Sequence, residues 1–278
     1  LEDIKNGIKK NKLLLPVSME GGEAIENNID NLYHFINRGL LYLGPTWNHS
    51  LDWVSSNFDE KYNKTKLKTI GLNDFGKEVI NVCQENKVLI DVSHIGEQSF
   101  WDIVKITQRP FIASHSSVNK LCSHFRNLYD DQLLAIKNKQ GLVGINPYPF
   151  FIDPTFKERE AKVRKKYREK IKSLEIQNSK KSSQWLAKQH FFQKKLSSVC
   201  PDFDIFLDHI EYIIKLIGID YVAVGSDYDG LDCLPKGWKD CADHIKIAEQ
   251  LEYRGYNQVE IEKVMGTNFL RVLEEINY

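Results

Sequence analysis

Six short apolar runs, each rich in strand-forming residues and separated by stretches of helical periodicity, constrain this chain more than any other feature. They are KLLLPVSM, LLYLGPT, KVLIDVSH, RPFIASHS, GLVGINPY and DYVAVGSDYDG. Runs of this kind bounded by turn residues read as buried strands. Between them, apolar residues recur at i, i+3 and i+4; in GLNDFGKEVINVCQENK this puts Phe75, Val79, Ile80 and Cys83 on one face. Strands alternating with helices need crossover connections, which make a mainly parallel sheet. The expected class is therefore α/β, and 278 residues are enough for one large barrel-sized domain spanning 1–278.

In parallel sheets the chemistry gathers where strands end and the following loops converge. Two runs finish in histidine, IDVSH at His94 and IASHSS at His115, and MEGGE places Glu20 at a third strand end. A lone strand histidine is more often a satisfied core residue. Two imidazoles and a carboxylate at equivalent strand ends instead form a ligand set for zinc, with positions left for water and substrate. Gly21 and Gly22 would let the backbone turn sharply after the carboxylate. GSDYDG offers Asp227 and Asp229, which read either as a turn at a strand end or as acids able to shuttle a proton or hold an ammonium group. Arg126, in CSHFRN, suits a bidentate contact to a substrate carboxylate.

Residues 155–200 break the alternation. Between 156 and 199 there are fourteen basic and four acidic side chains, although the whole chain balances 38 of each. The simplest reading is a solvated, basic helical hairpin inserted in the barrel, anchored by Trp185, Phe191 and Phe192; a basic arm for an acidic partner or substrate is the alternative. The overall balance gives no general field toward nucleic acid or a membrane surface. No apolar run approaches the roughly 20 residues of a membrane span, and LEDIKNGIKK lacks the apolar stretch of a signal peptide. Five scattered cysteines suggest reduced thiols, with Cys122 a small buried hydrophobe, so a cytoplasmic location is expected. His209 is expected to pack or cap locally on a helix, while His34, His124, His190 and His244 show no partner pattern.

Taken in order, MEGGE, IDVSH, the SHSS and FRN pair, and DYVAVGSDYDG resemble the signature segments of the membrane (renal) dipeptidase family of zinc metallopeptidases, from about residue 13 to the C terminus. The resemblance implies a TIM-type (β/α) barrel of the metal-dependent hydrolase kind, carrying two zinc ions bridged by a glutamate and a hydroxide. It would make Glu20 the bridging ligand, with His94 and His115 completing one metal site. Arg126 would hold the dipeptide carboxylate, and Asp227 would bind the free amino group and assist proton transfer. The reaction implied is hydrolysis of a dipeptide by attack of a metal-bound hydroxide. The implied partner is the small dipeptide itself, with no nucleic acid and no transmembrane segment; homodimerisation is left open.

Two departures from that pattern stand out. The family's His-x-Asp pair on the first barrel strand has no counterpart among the eight histidines, and about six of eight strand-helix units are present. With a chain that begins at Leu1, this leads us to expect an incomplete sequence. In YLGPTWNHS, Trp47 stands where many family members carry a catalytic histidine, so the role would pass to His49, to the indole of Trp47 as a substrate contact, or to neither. These departures keep two other readings open: a non-catalytic or single-metal relative that binds partners through its basic insertion, and a metal hydrolase acting on another amide.

Overall fold

The computed structural model of the chain describes residues 2–177 and 181–277. All six expected strands form, and all pair in parallel. Strands β1 (Val17–Glu20), β2 (Leu40–Gly44) and β3 (Leu89–Ile90) make one three-stranded sheet in that order. Strands β4 (Ile112–Ala113), β5 (Leu142–Ile145) and β6 (Val222–Val224) make a second. A single parallel bridge between Asp91 and Ile112, with the Val92 amide donating to the Ile112 carbonyl at 2.8 Å, links β3 to β4.

The two sheets are small and do not close; among the described residues no strand covers the outer edge of β1 or β6. The architecture is α/β with six strands in sequence order, the number expected of a TIM-type barrel holding about six of its eight strand-helix units, and these strands form two open sheets. The first strand is also shorter than its apolar run. Pairing begins at Val17, opposite Leu40, and Leu13 and Leu15 remain 84% and 80% exposed because no neighbouring strand reaches them.

Burial follows the pleat. Leu89, Ile112, Leu142 and Ala223 pack against Val272, Leu273 and Ile276 of the C-terminal helix Asn268–Asn277, whereas Ile90, Ala113, Val143 and Val222 enter the main core. Strands covered on both faces read as continuous apolar runs, which is how they appear in the sequence. The helix Asp74–Glu85 forms as its periodicity dictates: Val79, Ile80 and Cys83 are fully buried and Phe75 packs at the margin. Burial of each large aliphatic side chain contributes roughly 1.5–3 kcal/mol. Asn73 caps this helix by accepting from the Gly76 amide at 3.0 Å.

The basic stretch folds as three helices, Phe156–Lys166, Arg168–Gln177 and Lys181–Leu196. Its own small core contains Phe156, Val163, Phe192 and Leu196, and joins the body through Cys200 and Cys233. Of the expected anchors, Phe192 lies in this core beneath the Arg164 guanidinium, 4.4 Å from its ring centroid. Phe191 meets the Tyr167 ring edge-on at 5.4 Å. The Trp185 side chain lies outside the described part. Among the described residues no helix is long and apolar enough to cross a membrane.

His209, expected to pack locally, instead ties distant segments together. Its Nδ1 accepts from the Val118 amide and its Nε2 meets the Ile152 carbonyl, both at 3.1 Å, and it is 1% exposed. These contacts require the neutral ring, and burial pushes its pKa down to about 4. The unfolded chain binds a proton near pH 6.5 while the folded chain does not, so stability contributed at this position is present above that pH and is lost as pH falls toward 4. Urea unfolding at pH 7.5 and pH 5 is expected to show wild type losing about 2 kcal/mol more than His209→Gln over that interval. Equal losses in the two proteins would mean that His209 is not the titrating group.

Candidate metal centre and substrate cavity

Glu20 closes β1, while His94 and His115 sit in the loops directly after β3 and β4. Their ligating atoms converge. Glu20 Oε1 lies 3.0 Å from His94 Nε2 and 3.3 Å from His115 Nε2, and the two Nε2 atoms are 2.9 Å apart. All three fall within 4.8 Å of one another. Both imidazoles are buried, and the Glu20 side chain is 46% exposed toward the cavity. Hydrogen bonds from His115 and His94 hold the Glu20 carboxyl well below the usual carboxylate range. Burial, aided by the nearby Arg126 charge, pushes His94 down to about 4. A charged carboxylate beside a neutral imidazole is the protonation state a metal ligand set needs.

The ring of His115 is held by a chain of polar contacts. Ser114 Oγ donates to Asp91 Oδ2 at 2.5 Å and sits 2.7 Å from His115 Nδ1. Since the single Ser114 proton goes to Asp91, the hydroxyl accepts from Nδ1–H, which fixes the ring with Nε2 turned toward Glu20 and His94. Asp91 also accepts from Ser93 Oγ at 2.7 Å and from the Ser93 and Ser114 amides, and the His115 amide donates to Ser93 Oγ at 3.0 Å. Such outer partners fix ring orientation and raise ligand basicity. His94 Nδ1, by contrast, is buried without a hydrogen-bond partner among the described residues. Donor types, protonation and convergence all fit a divalent metal of the zinc type.

Two local backbone features make the convergence possible. After Glu20 the chain turns through Gly21 at φ 107°, as the glycine pair suggested. At the exits of β4, β5 and β6, Gly144 and Gly225 both press on the Ser114 carbonyl, where an added Cβ would stand 2.2 and 2.1 Å from that oxygen. This close approach lets Asn146 and Asp227 emerge side by side.

A cavity of about 390 Å³ opens at Glu20 and His94, walled by Trp47, Phe125, Tyr148 and Phe151 and reaching Arg126 and Asp227, while His115 lines a neighbouring cavity that shares Glu20 and Asp227. Arg126 is 4% exposed; its guanidinium donates to the Ser93 carbonyl and lies 5.4 Å from the Phe151 ring centroid. Among the described residues it forms no ion pair, and burial pushes it down to about 10. Asp227 Oδ2 accepts from Asn146 Nδ2 at 3.0 Å, and burial raises its pKa. Asp229 is exposed and does not line the cavity. Trp47 lines it, with its ring 6.5 Å from that of His94. His49 does not; its side chain, 70% exposed, lies 3.7 Å from Asp59 and edge-on to Phe58.

Sequence reasoning missed Asp91, Ser114, Asn146 and His124. Asp91 had a signal, an acid inside the apolar run VLIDV, and Ser114 directly precedes His115. His124 stacks between Phe125 and Phe151, at 4.4 and 4.6 Å, on the cavity wall. Nothing in the sequence set it apart from an ordinary loop histidine.

The fold and site define a class: an α/β protein built like known metallopeptidases. The probable dipeptidase PvdM of Pseudomonas aeruginosa is similar, with a TM-score of 0.77, 23% identity and coverage of 99% of this chain and 72% of that one. So is a metallo peptidase of Rhodobacter sphaeroides liganded with a phosphinate mimic of the dipeptide L-Ala-D-Ala, at TM-score 0.77, 22% identity and coverage of 99% and 67%. Residues 1–278 match the membrane dipeptidase family, peptidase family M19, and the chain belongs to it. An uncharacterized protein encoded in the PQQ-III 3′ region of Acinetobacter calcoaceticus is 39% identical over 146 residues, which is 52% of this chain and 46% of that protein. Another, from the pqqA 5′ region of Klebsiella pneumoniae, is 27% identical over 274 residues, 99% of this chain and 86% of that protein.

Proposed function

We propose that this protein is a zinc-dependent dipeptidase, its sheets forming part of a TIM-type barrel. The observation that carries this reading is one cavity bordered by Glu20 and His94 of the ligand triad at one side and, at the other, by a buried guanidinium that forms no ion pair among the described residues. Glu20, His94 and His115 would hold the metal, which when bound supplies Lewis-acid polarisation of the scissile carbonyl and a water of lowered pKa. The chain supplies the rest. Arg126 takes the substrate's terminal carboxylate and gains a direct ion pair in place of the Asp91, Asp227 and Glu20 charges that act on it without contact. Asp227, fixed by Asn146, receives the free ammonium group; its raised pKa also suits it to hold and return a proton to the leaving amine. Trp47 closes the cavity wall and keeps bulk water from the bond being cleaved, the place first weighed for His49. One ligand set is assigned, because the chain offers no His-x-Asp pair for a second metal.

Hydrolysis of Ala-Ala, its N-acetyl form and its C-terminal amide by the zinc-loaded protein tests this. Reading both termini by charge predicts that either block lowers kcat/KM about 100-fold or more. Equal turnover of blocked and free dipeptides would overturn the assignment of Arg126 and Asp227, and no turnover of any would overturn the dipeptidase reading.

A further inference from the structure

Cys200 ends the basic insertion, and Cys233 lies in the loop that leaves β6 just beyond Asp227. Both are buried, 1% and 5% exposed, and they share one small apolar core. The two segments are tied next to them: the Lys236 amide donates to the Pro201 carbonyl at 2.9 Å, and Lys236 Nζ meets Asp202 Oδ1 at 2.9 Å. The two side chains pack in that one cluster, near enough for each thiol to shift the titration of the other. Both are free thiols. We infer that Cys200 and Cys233 form a redox-active dithiol site, closed to a disulfide by a small-molecule disulfide oxidant, that cross-links the basic insertion to the loop carrying Asp227.

The chemistry assigns the partners different parts. The neighbouring Cys233 thiol, with the Arg159 and Lys236 charges, lowers the pKa of Cys200 and makes it the attacking thiolate. Cys200 S⁻ attacks the oxidant R–S–S–R; a Cys200–S–S–R bond forms, and RS⁻ leaves and takes up the proton Cys200 lost. Cys233, its pKa raised by the neighbouring Cys200 and by burial, then loses its proton and displaces the second RS⁻ from Cys200. Two protein thiols are oxidised, one disulfide is reduced, and two RSH are released. The other cysteines differ. Cys83 and Cys122 are buried and pushed up to about 12 and about 11, and the Cys122 thiol is turned to the Phe150 carbonyl at 3.5 Å. Cys241 is exposed. This inference stands apart from peptide hydrolysis.

The test is a peptide map of the folded, full-length chain after incubation with oxidised glutathione and quenching of free thiols. Trypsin places Cys200, Cys233 and Cys241 in separate peptides, 196–215, 216–236 and 240–246. The expected result is a reducible cross-link between the first two, with glutathione on Cys241 as proof that the oxidant acted. Cys200→Ser should lose the cross-link, and dithiothreitol should reverse it in wild type. Free Cys200 and Cys233 beside a modified Cys241, or a bridge joining any other pair, would overturn the inference.

Discussion

His115→Ala is expected to lose its metal on dialysis and to hydrolyse dipeptides at least about 1,000-fold more slowly than wild type. His115 is the most rigidly held ligand, with Nδ1 on Ser114, Ser114 on Asp91 and its own amide on Ser93. Removing it leaves Glu20 and His94, a pair too small to retain a divalent ion against water. Ser114→Ala keeps all three donors but frees the ring, and should cost about 10–100-fold in metal affinity. Metal content by elemental analysis, read beside the rate, separates the two. Full metal and full rate in His115→Ala would place the centre elsewhere.

Arg126→Met should raise KM for a free dipeptide about 30–1,000-fold, the equivalent of about 2–4 kcal/mol. It should leave thermal stability unchanged or improved. That combination is unusual for so buried a residue and follows from its surroundings. Arg126 lies against Phe151 and donates to one backbone carbonyl, with no carboxylate in ion-pair reach among the described residues. Its desolvation is offset only in part, by the Asp91, Asp227 and Glu20 charges acting without direct contact, until an anion arrives, and a methionine of similar length removes the charge while filling the space. A marked fall in Tm with no change in KM would show Arg126 to be a structural residue. For the C-terminal amide, which lacks the charge, wild type and variant should differ little.

Much of this was legible in the chain. The strand runs were readable because parallel strands covered on both faces leave unbroken apolar stretches, so Ile90, Ala113 and Val143 announced themselves without alternation. Glu20, His94 and His115 were found because each interrupts or ends such a run. What escaped depends on facts that do not repeat along a sequence. Asp91 sits in VLIDV as an odd acid, yet its work is to hold Ser93 and Ser114 across two strands. His209 looked like a local helix residue because its partners, Val118 and Ile152, lie 91 and 57 positions away. A TIM-type barrel with about six of its eight units was expected from the family likeness, and the six strands form two small sheets joined by one bridge.

The pinch of Gly144 and Gly225 on the Ser114 carbonyl also bears on how such a protein can change over generations. Both collisions are with backbone, so no rotamer change relieves them, and any other residue at either position would push apart the strands that bring Asn146 and Asp227 together. Trp47, half exposed on the cavity wall, carries no such restriction. Mutational drift is thus channelled: the floor under the reacting groups is frozen, while the walls that select a substrate's side chains stay free to diversify.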